Sequence, residues 1–318
     1  MSKSPLSLFP KGFLPYSKNH FVVMISFSLV YLLWTNFVLG FRQDHINFFI
    51  FIVGILVLHQ ETRKIAYFFL CFILFWIIYD SMRIYPNYLV NDVSITPPYL
   101  IEKSLFGIST TEGILTPNEY FKDNSHTFFD VLTGLFYLSW VPVPLGLGIY
   151  LYRTDKKMLL RFSAAYLFAN LIGFCIYYIY PAAPPWYFAK YGDVKLFDIS
   201  GDPAQLVRFD HLVGFPLFSN MYSKNANVFA AIPSLHAAYP VITWYYARKK
   251  KLKWASILIF VDILGIWFAA VYSFHHYFID VLLGLGCAIA AIFIFEKWLM
   301  KSRFSLWLEK YHLFAQSA

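Results

Sequence analysis

The chain has 318 residues, of which 59% are hydrophobic, 21% aromatic and only 14% charged; a soluble domain carries about 25% charged residues. A soluble protein of this length has no interior large enough to hide so much apolar surface, so the composition predicts an all-α, polytopic integral membrane protein. The net charge of +8 raises nucleic-acid binding as a possibility, and the placement of the basic residues argues against it.

Lys3, Lys11 and Lys18 precede the first apolar run. That run is too long for a signal peptide and no small-residue cleavage site follows it, so it reads as a retained helix. Crossing a bilayer takes about 20 apolar residues, and such runs are expected at 21–40, 46–60, 65–82, 127–152, 161–180, 230–247, 254–274 and 277–299. These make eight spans, the second of them short. With the N-terminus cytoplasmic, the inner segments hold 18 of the 26 lysines and arginines: Lys3 to Lys18, Arg63 with Lys64, Arg153 to Arg161, Arg248 to Lys253 and Lys297 to Lys310. The positive-inside rule therefore predicts both termini cytoplasmic. Cys71, Cys175 and Cys287 lie within apolar runs at no ligand-like spacing, which argues against disulfides and zinc.

Two long connections, 83–126 and 181–229, then lie outside, and loops of that length are often functional. The first contains "YLIEKSLFGI", an apolar stretch suited to the membrane interface. No internal repeat is evident. The chain divides into added helices and an outer loop over 1–124, a catalytic core over 125–300 and a short cytoplasmic tail over 301–318.

Four features converge on the outer side. "YPAAPPWY" (180–187) ends the fifth span; by itself it reads as a helix stop with Trp186 and Tyr187 as an aromatic anchor. In "PSLH" (233–236), Ser234 is a natural N-cap, and the free N–H groups of the helix it opens suit an anion beside His236; a capped helix with a structural histidine reads equally well. In "YSFHHYFIDVLLG" (272–284), His276 and Asp280 are spaced i,i+4 on one helix face, with His275 turned away. A carboxylate behind a histidine orients it and stabilises its cation. In "LVRFDHLVG" (206–214), Arg208 suits a phosphate clamp or a surface pair with Asp210. Together these suggest histidine-based phosphoryl transfer on a membrane lipid. His276 is the candidate nucleophile, Asp280 its orienting group and His236 the acid/base. The chemistry calls for no metal and no cofactor. Asp262, inside the seventh span, supports an alternative of another class, a proton-coupled transporter.

These residues resemble the type 2 phosphatidic acid phosphatase superfamily, and within it the branch of fungal inositol phosphorylceramide synthases. Ala182–Tyr187, Arg208-Phe209-Asp210, Pro233–His236 and His275–Asp280 occur in the same order as similar runs of that branch. The resemblance covers roughly residues 125–300. It implies a six-helix core with two helices added in front, metal-free chemistry and the same roles for His276, Asp280 and His236. The phosphatase branch carries a lysine–arginine–proline signature, absent here, and an arginine six residues before the nucleophile, where this chain has Ala270. The loss of two cations favours a singly charged diester over a monoester dianion. Arg208 and Arg83 are the candidate replacements; Ser234, Trp186 and Tyr187 complete the expected substrate contacts. The expected activity is transfer of a head-group phosphate, inositol phosphate from phosphatidylinositol, to a lipid alcohol such as ceramide. A lipid phosphatase on the same site is the alternative. The partners are then a phospholipid donor and a lipid-alcohol acceptor. The site is expected on the extracytoplasmic face of a bacterial inner membrane, or of a Golgi-type membrane if the source is eukaryotic.

Overall fold

A computed structural model describes residues 18–318 apart from residues 112 and 226. Lys3 and Lys11, two of the basic residues used to orient the first span, lie outside the described residues, as does the side chain of Lys18. Among the described residues the chain is mostly helical, with one small two-stranded hairpin. Helix α1 (Lys18–Trp34) runs on into a π-helical turn, Thr35–Leu39, and is followed by α2 (Gln43–Leu58), α3 (Gln60–Phe68) and α4 (Leu70–Ser81). The first long connection holds α5 (Thr96–Phe106), the antiparallel hairpin β1 (Ile108–Thr110) and β2 (Gly113–Leu115), and α6 (Pro117–Asp123). Then come α7 (Thr127–Leu138), α8 (Pro142–Thr154) and α9 (Lys156–Ile179). The second connection holds α10 (Pro185–Tyr191), α11 (Val207–Val213) and α12 (Leu217–Tyr222). Helices α13 (Leu235–Lys249), α14 (Lys253–Tyr272), α15 (Phe278–Lys297) and α16 (Arg303–Gln316) complete the chain.

Among the described residues, four helical stretches are long and apolar enough to cross a membrane: Asn19–Leu39, Lys156–Ile179, Lys253–Tyr272 and Phe278–Lys301. Two further expected spans are bent pairs, α3 with α4 at 60° and α7 with α8 at 41°. The 127–152 run was expected as one helix. Pro142 opens α8 instead, because a proline lacks the N–H that would continue α7 and is well placed in a first turn. Helix α2 is a shorter apolar helix, as its sequence implied. The 230–247 run becomes helical only at Leu235, and residues 230–234 are not helical.

Helix α9 is the centre of the packing. Its buried face carries Ala164, Ala165, Ala169 and Gly173, small residues that let neighbouring backbones approach where no hydrophobic force drives helices together. A Cβ on Gly173 would meet the Leu235 side chain at 2.7 Å, so α13 lies close against α9. At one end of the bundle ion pairs join the helices: Lys250 to Asp155, and Arg161 and Lys249 to Glu296. The 301–318 segment is a helix on this end; Lys157 reaches Glu309, and the Tyr311 hydroxyl donates to the Tyr67 carbonyl at 2.8 Å.

At the other end the two long connections fold onto each other. Ser94 N–H donates to the Pro181 carbonyl (2.8 Å), Ala183 N–H to the Ser94 carbonyl (3.0 Å), and Ala182 N–H to the Phe229 carbonyl (3.0 Å). A buried cluster of Val93, Ile95, Ala183, Trp186, Tyr187, Phe229 and Phe274 seals this cap.

Candidate active site

The residues before α13 and the first turn of α15 meet beneath the cap. Ser234 caps α13, its hydroxyl accepting from Ala237 N–H, while its own N–H donates to the Asp280 carbonyl at 3.0 Å. The Tyr177 hydroxyl donates to the Pro233 carbonyl at 3.0 Å. A Cβ on Gly284 would lie 2.2 Å from the Ser234 carbonyl oxygen; only glycine permits α15 to approach this turn so closely.

His276 sits in the turn between α14 and α15. Both His275 N–H (3.1 Å) and His276 N–H (3.0 Å) donate to the Ala270 carbonyl. Two groups from the first connection brace the turn. The buried Asn118 side chain donates from Nδ2 to the Val271 and His276 carbonyls, both at 2.9 Å. Glu102, fully buried on α5, accepts from Phe278 N–H at 2.9 Å and Ile279 N–H at 3.1 Å, so it satisfies the free donors that open α15. Burial pushes its carboxyl up to about 7; these two N–H groups pull the other way.

His276 Nδ1 lies 3.4 Å from Asp280 Oδ2, and that oxygen also accepts Tyr277 N–H at 3.0 Å. The expected pair therefore forms, but not from one helix face. Helix α15 starts at Phe278, so a capping turn brings His276 over Asp280. The separation is long for a hydrogen bond. Facing it, His236 Nδ1 is 3.0 Å from the Tyr137 hydroxyl, which accepts from Tyr222 at 2.9 Å. The two imidazole centroids are 6.2 Å apart, and Trp140 lies 5.0 Å from the His236 ring.

Both histidines line a cavity of about 630 Å³. One wall comes from the break between α7 and α8, from α9 and α13 and from the second connection, through residues such as Trp140, Phe174, Tyr222 and Tyr239. The other comes from α1, α2 and α4, through Tyr31, Arg42, Phe75, Asp80 and Arg83.

The remaining expected contacts divide. Arg83 lines this cavity; its Nε donates to Asp80 Oδ1 at 2.8 Å, and another nitrogen reaches the Lys224 carbonyl. Arg208 is not among the cavity-lining residues. It bonds Gln205, lies 3.2 Å from Asp130 and covers the Tyr272 ring. Its carboxylate partner is thus Asp130, while Asp210 accepts from Phe218 and Ser219 N–H. Ser234 is fully buried and serves the turn. Trp186 and Tyr187 belong to the cap, where the Tyr187 hydroxyl donates to the Val194 carbonyl at 2.7 Å. His275 lies 2.8 Å from the Pro203 carbonyl and stacks on Tyr222. Asp262 accepts from the Ser139 hydroxyl at 2.6 Å, at the break between α7 and α8; this gives the intramembrane acid a local partner.

Sequence reasoning had passed over Tyr137, Tyr222, Trp140, Asn118 and Glu102, because nothing in their local pattern marks them. Arg42 and Asp80 carried a usable signal: charges at the very ends of apolar runs.

A helical membrane bundle with facing histidines lining one cavity defines a class of integral membrane enzyme. A family model described as the PAP2 superfamily matches residues 119–294, and the chain belongs to that superfamily. It is 44% identical to the phosphoinositol dihydroceramide synthase of Bacteroides thetaiotaomicron, over 93% of this chain and 98% of that protein. It is 28% identical to the inositol phosphorylceramide synthase of Candida albicans, over 54% of this chain and 38% of the fungal one. The inositol phosphorylceramide synthase catalytic subunit of Saccharomyces cerevisiae is 26% identical over 67% of this chain and 52% of its own length. These likenesses bear out the expected branch. No solved structure matches. The family match holds His236, His276 and Asp280 and omits α1 to α5, whereas the Bacteroides likeness reaches back into the helices that form the second cavity wall.

Proposed function

We propose that this protein is a lipid phosphotransferase that moves inositol phosphate from phosphatidylinositol to a ceramide-type lipid alcohol through a phosphohistidine. The observation that carries the reading is the pair of histidine rings 6.2 Å apart at one cavity, each with its own partner behind it.

Asp280 accepts a hydrogen bond from the Nδ1–H of His276, leaving Nε2 as nucleophile. Its lone pair forms a P–N bond as the P–O bond to the diacylglycerol oxygen breaks, and protonated His236 gives its proton to that leaving oxygen. Tyr137 engages Nδ1 of His236, so Nε2 handles the proton. In the second half the acceptor hydroxyl gives its proton to His236, its oxygen bonds phosphorus and the P–N bond breaks. Both histidines return to their starting states. The free N–H groups opening α13 stabilise the phosphate oxygens.

The reading extends to orientation. The ion-paired end of the bundle carries the basic segments Arg153–Arg161 and Arg248–Lys253, and by the positive-inside rule this supports an extracytoplasmic catalytic end.

The test is purified protein with head-group-labelled phosphatidylinositol, with and without ceramide. Labelled phosphoryl-lipid that forms only with ceramide supports transfer. Water-soluble inositol phosphate in both tubes, with no labelled lipid product, would show a phosphodiesterase and sink the proposal.

A further inference from the structure

The cavity holds charged side chains that this chemistry does not use. Arg42 Nη2 donates to both oxygens of Asp80, at 2.7 and 2.9 Å, and Arg83 Nε donates to Oδ1 at 2.8 Å. His45 Nε2 lies 2.9 Å from Oδ2. Two guanidinium groups on one carboxylate leave a surplus positive charge whatever the state of His45, and the other two charged residues of the lining, Asp44 and Lys224, offset each other. The cluster is not sealed: the Arg42, Asp80 and Arg83 side chains keep 37%, 23% and 33% of their exposure. Of the five donors an arginine carries, Arg42 uses only those on Nη2 within the cluster, among the described residues.

We infer that Arg42, Asp80 and Arg83 form the head-group subsite, which binds the polyol of an anionic phosphodiester lipid. This rests on the transfer reading above. A reacting phosphate must lie between His236 and His276, and it carries only two substituents. Diacylglycerol suits the apolar wall of Phe75, Trp140, Phe174 and Leu235. It gains nothing from charges it would desolvate. The polyol needs donors and acceptors together. A carboxylate flanked by planar guanidinium forks offers both to neighbouring hydroxyls. The surplus positive charge in turn favours an anionic donor. A brace between α2 and α4 is the competing role, and it predicts a different pattern of loss.

The experiment uses the full chain in detergent micelles, with Arg42→Gln, Asp80→Asn and the milder Arg42→Lys. The KM for phosphatidylinositol is expected to rise about ten-fold or more in the first two, with the KM for ceramide changed less than about two-fold. Preference for phosphatidylinositol over phosphatidylethanolamine should fall in the same variants, and Arg42→Lys should lie between. In parallel, binding of soluble glycerophosphoinositol to the His276→Ala protein should weaken when Arg42→Gln is added. Equal losses for donor and acceptor, or unchanged donor KM and preference, would overturn the assignment. Binding that ignores Arg42 would overturn it even if the variants lose activity through misfolding. Should wild-type protein perform no transfer, the transfer reading fails, and the glycerophosphoinositol measurement still decides the subsite.

Discussion

His276 and His236 each depend on one atom behind the ring. For His276 it is Asp280 Oδ2 at 3.4 Å, and for His236 it is the Tyr137 hydroxyl at 3.0 Å. Removing the proposed nucleophile is therefore expected to abolish transfer: His276→Ala should lose all turnover while its chromatographic profile and melting temperature stay close to wild type. Substantial turnover by that variant would remove the mechanism. Tyr137→Phe keeps the ring and loses the oxygen that holds Nδ1, so kcat should fall about ten-fold with little change in KM, measured by the same transfer assay. Glu102 carries a pH prediction. Its folded carboxyl is raised, chiefly by burial, to about 7, above its usual value of 4.5. The folded state thus favours the protonated form, and this stabilisation is complete below about pH 4.5 and lost as pH rises through about 7. The melting temperature of wild type should accordingly fall more than that of Glu102→Gln between about pH 5.5 and about pH 8.5. Parallel curves would show that Glu102 does not titrate in this range.

Among the elements, the contact that matters most is α15 against the Ser234 turn. The Gly284 position would put a Cβ 2.2 Å from a backbone oxygen, which cannot move aside as a flexible side chain can. Gly284→Val should therefore cost at least about 1–3 kcal/mol and separate His236 from His276. A lower melting temperature together with lost transfer is the expected outcome, and a variant of wild-type stability would mean that α15 slides without penalty. The pattern "VLLG" announced an apolar helix but not this contact, because a glycine's requirement comes from what lies opposite. The same holds for α5. "YLIEKSLFGI" was read as an interfacial stretch, and Leu100, Ile101 and Leu105 are indeed exposed. Its single acid, Glu102, turns inward to the start of a helix 176 residues away in sequence.

Across the whole molecule, the charge distribution makes a claim about orientation that is open to direct measurement. In a variant with Cys71, Cys175 and Cys287 replaced by alanine, a cysteine introduced at exposed Ser109 should react with a membrane-impermeant maleimide on intact cells. One at exposed Lys251 should react only after the membrane is opened. The reverse pattern would invert the proposed topology. The two bundle ends are chemically distinct: ion pairs join α8, α9, α13 and α15 at one, and the interlocked connections cover the site at the other.

Membrane class, most helix positions and the three groups proposed to carry the chemistry, His236, His276 and Asp280, were legible in the sequence. Each is a local property: apolar runs set the spans, a serine after a proline sets a cap, and His276 with Asp280 lie within one turn of chain. Tertiary structure alone decided what stands around those groups. It drew Arg208 to Asp130 and away from the cavity, placed Trp186 and Tyr187 in the cap, and gave α1, α2 and α4 half of the cavity wall. The first 124 residues had no motif to announce that role. A cavity wall asks only for side chains of suitable size and charge at positions far apart in sequence, and packing, which no short pattern records, brings them together.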